Sequence, residues 1–235
     1  MDIENATALV TGANRGLGRE FARQLLARGA RVHATARDPR TVDLPGVEPL
    51  RLDVTDQRSV DLAAAHAPDV SLLVNNAGIA TLTDLLTGDL DRAREEMDVH
   101  YWGTLRVTRA FAPALARAGG GAVVNVLSVL SFRTYPGNGA YAAAKAAQWS
   151  LTHSTRLALA AQGTQVLGAH LSSTDTDMMA GWDVPKNDPA DVVRAVLDGL
   201  AAGADEVLAD EETREAKRLL AGPPAQLHAA VAPRP

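Results

Sequence analysis

The chain contains no cysteine, which excludes disulfides and thiolate chemistry and fits a reducing compartment. Aromatic residues are scarce at 4%, so a core must be built mainly from alanine, valine and leucine. No uninterrupted apolar stretch approaches the roughly 20 residues that a membrane-crossing helix needs. The first residues, Met1-Asp2-Ile3-Glu4-Asn5-Ala6, lack a basic segment leading into an apolar one, so no signal peptide is expected and the cytoplasm is the default location. Net charge is −5, which gives no basic footprint for nucleic acid. Neither a metal nor a membrane partner is expected.

What is present suffices for one sizeable domain: 235 residues, 46% of them apolar. Apolar runs alternate with longer amphipathic stretches throughout. Strands are expected at residues 7–10, 31–35, 49–52, 71–74, 122–127, 165–170 and 206–209. Helices are expected at 16–28, 57–65, 90–117, 139–162, 189–201 and 211–221, several ending at glycines such as Gly29, Gly119 and Gly163. This alternation points to an α/β fold, a parallel sheet covered by helices on both faces. No repeat or interior linker divides it, so residues 1–221 read as a single domain. The Pro/Ala-rich segment 222–235 reads as a flexible tail.

The first expected strand runs directly into Thr11-Gly12-Ala13-Asn14-Arg15-Gly16-Leu17-Gly18, which opens the first helix. Gly12 allows a tight turn, Gly16 lets the backbone approach a phosphate, and Gly18 lets the helix pack close to the sheet. The helix N-terminus then offers free N–H groups to a pyrophosphate. Gly12, Asn14, Arg15, Gly16, Leu17 and Gly18 are therefore candidate cofactor contacts. The second strand ends in Ala36-Arg37-Asp38. An acid at this edge binds the adenosine ribose, whereas an arginine accommodates a 2′-phosphate. Arg37 with Arg15 favours NADPH over NADH.

Farther along, Tyr141 and Lys145 stand four residues apart on an expected helix and share a face. An ammonium beside a phenol favours the phenolate and lowers its pKa, giving a proton donor and acceptor usable near neutral pH. Ser128, at the end of the apolar run 122–127, can meet the same cleft.

With the glycine turn, Asn75-Asn76-Ala77-Gly78, Ser128 and Tyr141-x-x-x-Lys145 in this order, the sequence resembles the short-chain dehydrogenase/reductase family from about Ala6 to Met178. The resemblance implies a Rossmann fold with a seven-stranded parallel sheet in the order 3-2-1-4-5-6-7. It makes Tyr141 the group that protonates a carbonyl oxygen, Ser128 the hydroxyl that stabilises that oxygen, and Lys145 the residue that holds the nicotinamide ribose. Asp53 and Val54 match the pair beside the adenine. Asn75, Ala77 and Gly78 match the segment beside the cofactor that braces the sheet. Thr176 matches the position that meets the carboxamide, with Thr174 nearby. The placement of Arg15 and Arg37 is similar to that in NADPH-dependent carbonyl reductases of the family.

Two departures stand out. Val99-His100-Tyr101-Trp102-Gly103 carries His100 where the family has an asparagine that holds a water linking the lysine to solvent. A neutral imidazole can bind that water or exchange protons itself; equally, His100 can be a packed histidine with the relay rerouted. Leu171-Ser172 replaces the family's Pro-Gly, so the turn before Thr176 must differ. Leu130, Phe132, Tyr135 and Trp182 suggest a pocket for an apolar or aromatic carbonyl compound, with 181–189 as a lid or a plain surface loop. The long alanine-rich helices 90–117 and 139–162 correspond to the family's dimer interface, so a homodimer or homotetramer is expected. The leading expectation is an NADPH-dependent oxidoreductase acting on a ketone or aldehyde. The alternatives are a non-catalytic NADP(H)-binding sensor, or an imine or other C=X reductase. An epimerase or dehydratase of the extended relatives is disfavoured because only some 65 residues follow His170.

Overall fold

Short, nearly all-apolar strands bury both faces at once and so require helices above and below the sheet. In a computed structural model that describes residues 1–229, this is the observed arrangement. The strands are β1 (Thr7–Val10), β2 (Arg31–Ala36), β3 (Glu48–Arg51), β4 (Leu72–Asn75), β5 (Ala122–Val126), β6 (Gln165–His170) and β7 (Glu206–Leu208). They form one parallel sheet in the order β3-β2-β1-β4-β5-β6-β7, as the resemblance implied. The helices are α1 (Gly16–Ala27), α2 (Gln57–His66), α3 (Leu90–Met97), α4 (Thr104–Arg117), α5 (Gly139–Leu159), α6 (Pro189–Ala201), α7 (Glu211–Leu219) and α8 (Pro224–Ala229).

Side chains alternate strictly between the two faces, as a period of two requires. Ala8, Val10, Leu72, Val74, Val124 and Leu167 join Phe21 and Leu25 of α1 and Val193 and Leu197 of α6 in one core. Leu9, Leu73, Val123 and Val166 join Val60 of α2 and Phe111 and Leu115 of α4 in the other. Phe21 and Phe111 are the two aromatic anchors, one per face and both fully buried; each burial is worth about 1.5–3 kcal/mol. A polar seam crosses the second core. Asn75 Nδ2 donates to Asn125 Oδ1 at 2.9 Å and to Thr108 Oγ1 at 3.1 Å, and Asn125 Nδ2 donates to Thr152 Oγ1 at 3.0 Å. These bonds join β4 and β5 to α4 and α5 at the end of the sheet nearest the site.

The expected helix 90–117 is interrupted. Between α3 and α4 the backbone widens into a π-helical turn over Asp98–Gly103. Glu96, His100 and Thr104 are spaced four apart, and all three are buried. A 3.6-residue helix drifts by about 40° over each such step, and the wider turn cancels part of that drift. The C-terminal segment also contains structure: α8 lies within 222–235, and its Leu227 is buried in a third apolar cluster with Leu130, Phe132, Tyr135 and Ala216. Residues 230–235 of the expected tail lie outside the described residues.

Candidate active site

The glycine turn is pinned by Thr11. Its hydroxyl donates to Val74 O at 3.3 Å and accepts from the N–H groups of Asn76 and Ala77, both at 2.9 Å. Asn76 Nδ2 returns to Thr11 O at 2.9 Å. The helix that follows is pressed against the turn: a Cβ on Gly18 would lie 2.0 Å from Gly12 O. Arg15, at the N-cap of α1, is extended and makes no side-chain cap, and the first turn holds no acid. The free N–H groups and the positive end of the helix therefore face the cleft, a cradle that fits a pyrophosphate.

At the adenosine edge Arg37 is exposed and makes no ion pair among the described residues. Asp38 is occupied: it accepts from the Arg40 N–H at 3.1 Å and forms a two-pronged pair with the Arg40 guanidinium at 2.9 and 2.8 Å. That pairing holds the Asp38 carboxyl below its ordinary range. Arg15 reaches Asp177 across the cleft at 3.5 Å, with both side chains largely exposed. Asp53 accepts from Thr55 N at 3.0 Å, which fixes the turn after β3.

The other end of the cleft is set by β5 and α5. Ser128 follows β5 and caps a short 3₁₀ turn by accepting from Leu130 N at 3.1 Å. Tyr141 and Lys145 project from α5 into the same space, with Lys145 Nζ 5.7 Å from the centre of the Tyr141 ring. Lys145 Nζ donates to Val126 O at 2.8 Å and to Gln148 Oε1 at 3.0 Å; Gln148 Nε2 in turn donates to Thr104 Oγ1 at 2.9 Å. Burial pushes Lys145 down to about 7, opposed by the charge of Glu96. Tyr141 moves up from its ordinary value, first through burial and then through Glu96, against the pull of the Ser128 hydroxyl. This corrects the expectation that Lys145 lowers the phenol. Both groups are desolvated together, so the ammonium is itself partly discharged at neutral pH.

His100 is buried edge-on against Tyr141, with ring centres 5.2 Å apart. Its Nε2 lies 2.9 Å from Ile79 O and 3.2 Å from Glu96 Oε2. Burial, and then the charge of Lys145, lower its pKa and so favour the neutral imidazole. The Ser172 that replaces the family glycine has no need of a left-handed backbone, since Leu82 is the one non-glycine residue with positive φ among the described residues. Its N–H donates to Asp210 Oδ2 at 2.7 Å. Thr176 lies against Gly16, and its hydroxyl donates to Thr174 O at 3.3 Å.

One cleft of ≈ 550 Å³ runs from the glycine turn to Trp182 and is lined by all the residues singled out in the sequence except two. Asn75 is the first exception. Leu73 and Asn75 share a face by period two, so its side chain enters the polar seam and its neighbour Asn76 meets the turn instead. Phe132 is the second: its ring stacks on His170 at 4.2 Å and meets Trp149 edge-on at 4.9 Å, away from the cleft. Tyr135 lines the cleft, and its hydroxyl donates to Glu212 Oε1 at 2.7 Å. Sequence reasoning passed over Glu96 and Gln148. Their signal was their spacing, four residues before His100 and three after Lys145, which puts each on the inward face of its helix.

Comparison with known proteins agrees with this fold. Residues 6–186 match the family described as short chain dehydrogenase. D-erythrulose reductase of Gallus gallus is 33% identical over 215 residues, covering 88% of this chain and 87% of that protein. Carbonyl reductase [NADPH] 2 of Sus scrofa is 33% identical over 165 residues, covering 68% of each. A short chain dehydrogenase from Burkholderia cenocepacia J2315, solved in complex with NADP, superposes with a TM-score of 0.93 at 39% identity, covering 99% of this chain and 100% of that one. The chain belongs to the short-chain dehydrogenase/reductase family of oxidoreductases.

Proposed function

We propose that this protein is an NADPH-dependent reductase of apolar ketones or aldehydes, with Tyr141 as the proton donor. The observation that carries the reading is one continuous cleft with unlike ends: Ser128, Tyr141 and Lys145 at one, and the unpaired Arg37 at the other. An unpaired guanidinium suits a 2′-phosphate dianion. Asp38, which would repel that phosphate, is neutralised by Arg40. The carbonyl reductase and the NADP complex among the relatives support the same choice.

The nicotinamide cofactor supplies the hydride when bound. The first-turn N–H groups of α1 hold its pyrophosphate, Arg37 and Arg15 its adenosine end, and Thr174 and Thr176 its nicotinamide end. Lys145 orients the nicotinamide ribose. Ser128 Oγ and Tyr141 Oη both donate to the substrate oxygen, which fixes the carbonyl and stabilises the charge that builds on it. Tyr141 then releases its proton to that oxygen. Its raised pKa keeps the phenol protonated at neutral pH, the form that reduction requires. Ile79, Leu82, Leu130, Met178 and Trp182 wall the substrate end with apolar surface, and Leu82 and Met178 are still half-exposed at its mouth.

The test is a cofactor-monitored screen of ketones, aldehydes and imines with NADPH and with NADH, on wild type and on Arg37→Ala. Turnover of apolar carbonyls with NADPH is expected, with Arg37→Ala losing NADPH affinity and leaving NADH affinity unchanged. Binding of NADPH with no turnover across the panel would make the protein a sensor. Equal loss of both cofactors in Arg37→Ala would overturn the role of that residue.

A further inference from the structure

A fully buried carboxylate beside a catalytic site needs a reason, because an ion without close partners is costly to bury. Glu96 is such a group: it lies at 0% exposure on α3, one helical turn before His100. Its Oε1 accepts from the N–H of Thr81 at 2.6 Å, and its Oε2 lies 3.2 Å from His100 Nε2. No arginine or lysine forms an ion pair with it among the described residues. The groups facing the pair from elsewhere are the Tyr141 phenol and the Lys145 ammonium, both on α5. From the segment after β4 it meets Gly78 and the backbone of Ile79 and Thr81.

The nearer neighbours of His100 Nε2 are acceptors, the Ile79 carbonyl at 2.9 Å, to which it hydrogen-bonds, and Glu96 Oε2 at 3.2 Å, which has no other partner; the N–H of Ile79 lies farther off at 3.4 Å. The two nearer contacts favour a neutral imidazole with its proton on Nε2, since a lone pair there would face two others at shorter range than the Ile79 N–H. Nδ1 is then a bare acceptor. It is buried and without a hydrogen-bond partner, on the side of Gly78, where a Cβ would fall 3.4 Å from Nδ1 and 2.7 Å from Cε1. The missing side chain at Gly78 is therefore what allows the ring to stand against the cleft wall.

We propose that Glu96 is a positioning residue that acts through His100, fixing the imidazole proton on Nε2 so that Nδ1 is presented as a hydrogen-bond acceptor beside Tyr141. This rests on the carbonyl-reductase reading for its kinetic consequences, but not for the state of the imidazole. The pair differs in kind from an asparagine at position 100, because an imidazole nitrogen is a far stronger base than an amide oxygen. Glu96 and His100 together anchor the 79–81 backbone, so a purely structural role is the competing explanation.

The experiment is ¹⁵N spectroscopy of the imidazoles in wild type and in Glu96→Gln, with His100→Asn used to assign the signal. Wild type should show protonated Nε2 and bare Nδ1 at pH 7. A proton on Nδ1, or on both nitrogens, would overturn the proposal without any variant having to fold. In Glu96→Gln the amide retains an acceptor for Thr81 and turns an N–H towards Nε2, so the proton should move to Nδ1. The kinetic arm compares Glu96→Gln in the wild-type and His100→Asn backgrounds. We expect kcat to fall about tenfold or more in the first, with NADPH affinity retained and an altered pH profile, and no further loss in the second. An equal loss in both backgrounds would show that Glu96 merely holds the 79–81 segment. If wild type reduces no carbonyl, the reading of the reaction fails while the spectra still decide the Glu96–His100 pair.

Discussion

The ammonium of Lys145 rests on a carbonyl and an amide oxygen and has no carboxylate within ion-pair distance among the described residues. Burial therefore prevails over the charge of Glu96, and its pKa falls from 10.5 to about 7. In the unfolded chain the lysine keeps its proton up to its ordinary value, so between those limits the unfolded state binds more protons than the folded one. Stability attributable to this residue must then rise with pH across that window. The depressed pKa costs up to about 5 kcal/mol below pH 7 and nothing above 10.5. Melting temperatures of wild type and Lys145→Met, measured without cofactor from pH 6 to 10.5, should shift relative to each other in favour of wild type as pH rises. A constant difference would mean that Lys145 keeps its proton throughout. Residues of this kind explain what the sequence could and could not convey. Tyr141 and Lys145 were legible because four-residue spacing on a helix dictates a shared face. The sign of the phenol's shift was not, because it depends on desolvation and on Glu96, and both are properties of the packed interior.

At the scale of elements, the strands and most helices follow from periodicity and end signals, and the glycine turn from its place between β1 and α1. The π-helical turn at Asp98–Gly103 does not follow. Its apolar pattern fits one continuous helix, and the widening arises from the need to bury Glu96, His100 and Thr104 together. Asn75 and Phe132 were misplaced for a related reason: a motif match gives position along the chain, while the face is set by the strand's phase or by what a loop packs beneath. The contact between α1 and the glycine turn yields a sharper expectation. Gly18→Ala would drive a Cβ into Gly12 O at 2.0 Å and Asn76 Nδ2 at 2.5 Å. Backbone cannot retreat as a side chain can, so we expect a loss of about 1–3 kcal/mol of stability together with NADPH affinity. Titration of the folded variant with NADPH at low temperature separates the two effects, and unchanged affinity would remove the turn from the binding site.

For the whole molecule, the sheet order was implied by the resemblance and is the order observed. Sequence alternation specified a doubly covered sheet, whereas the division into an α1/α6 core and an α2/α4/α5 core appears only once the strands are paired. No described helix is long and apolar enough to cross a membrane. Exposed apolar side chains gather instead on the outer side of α3 and the π-helical turn, where Leu90 is 60% and Trp102 48% exposed beside a groove that also includes Met97. Members of the family are typically oligomeric, and we expect this chain to be a homodimer or homotetramer. Sedimentation equilibrium at micromolar concentration checks this, and a monomer at all concentrations would refute it.

One tie described above reaches beyond the chemistry. Asp210 caps α7 by accepting from Thr213 N at 2.9 Å, and the same carboxylate receives the N–H of Ser172 at 2.7 Å and the Asn187 amide at 3.1 Å. Asn187 also pairs with the backbone of Ser173 and Asp175 at the foot of the segment that carries Trp182. The loop that borders the substrate end and helix α7 therefore share a single fastener. Any exchange of residues 173–187 between this protein and a relative, made to alter substrate choice, must transfer positions 172, 187 and 210 as one inheritance. A graft that brings the loop without its clasp imports the right wall and leaves it unhinged.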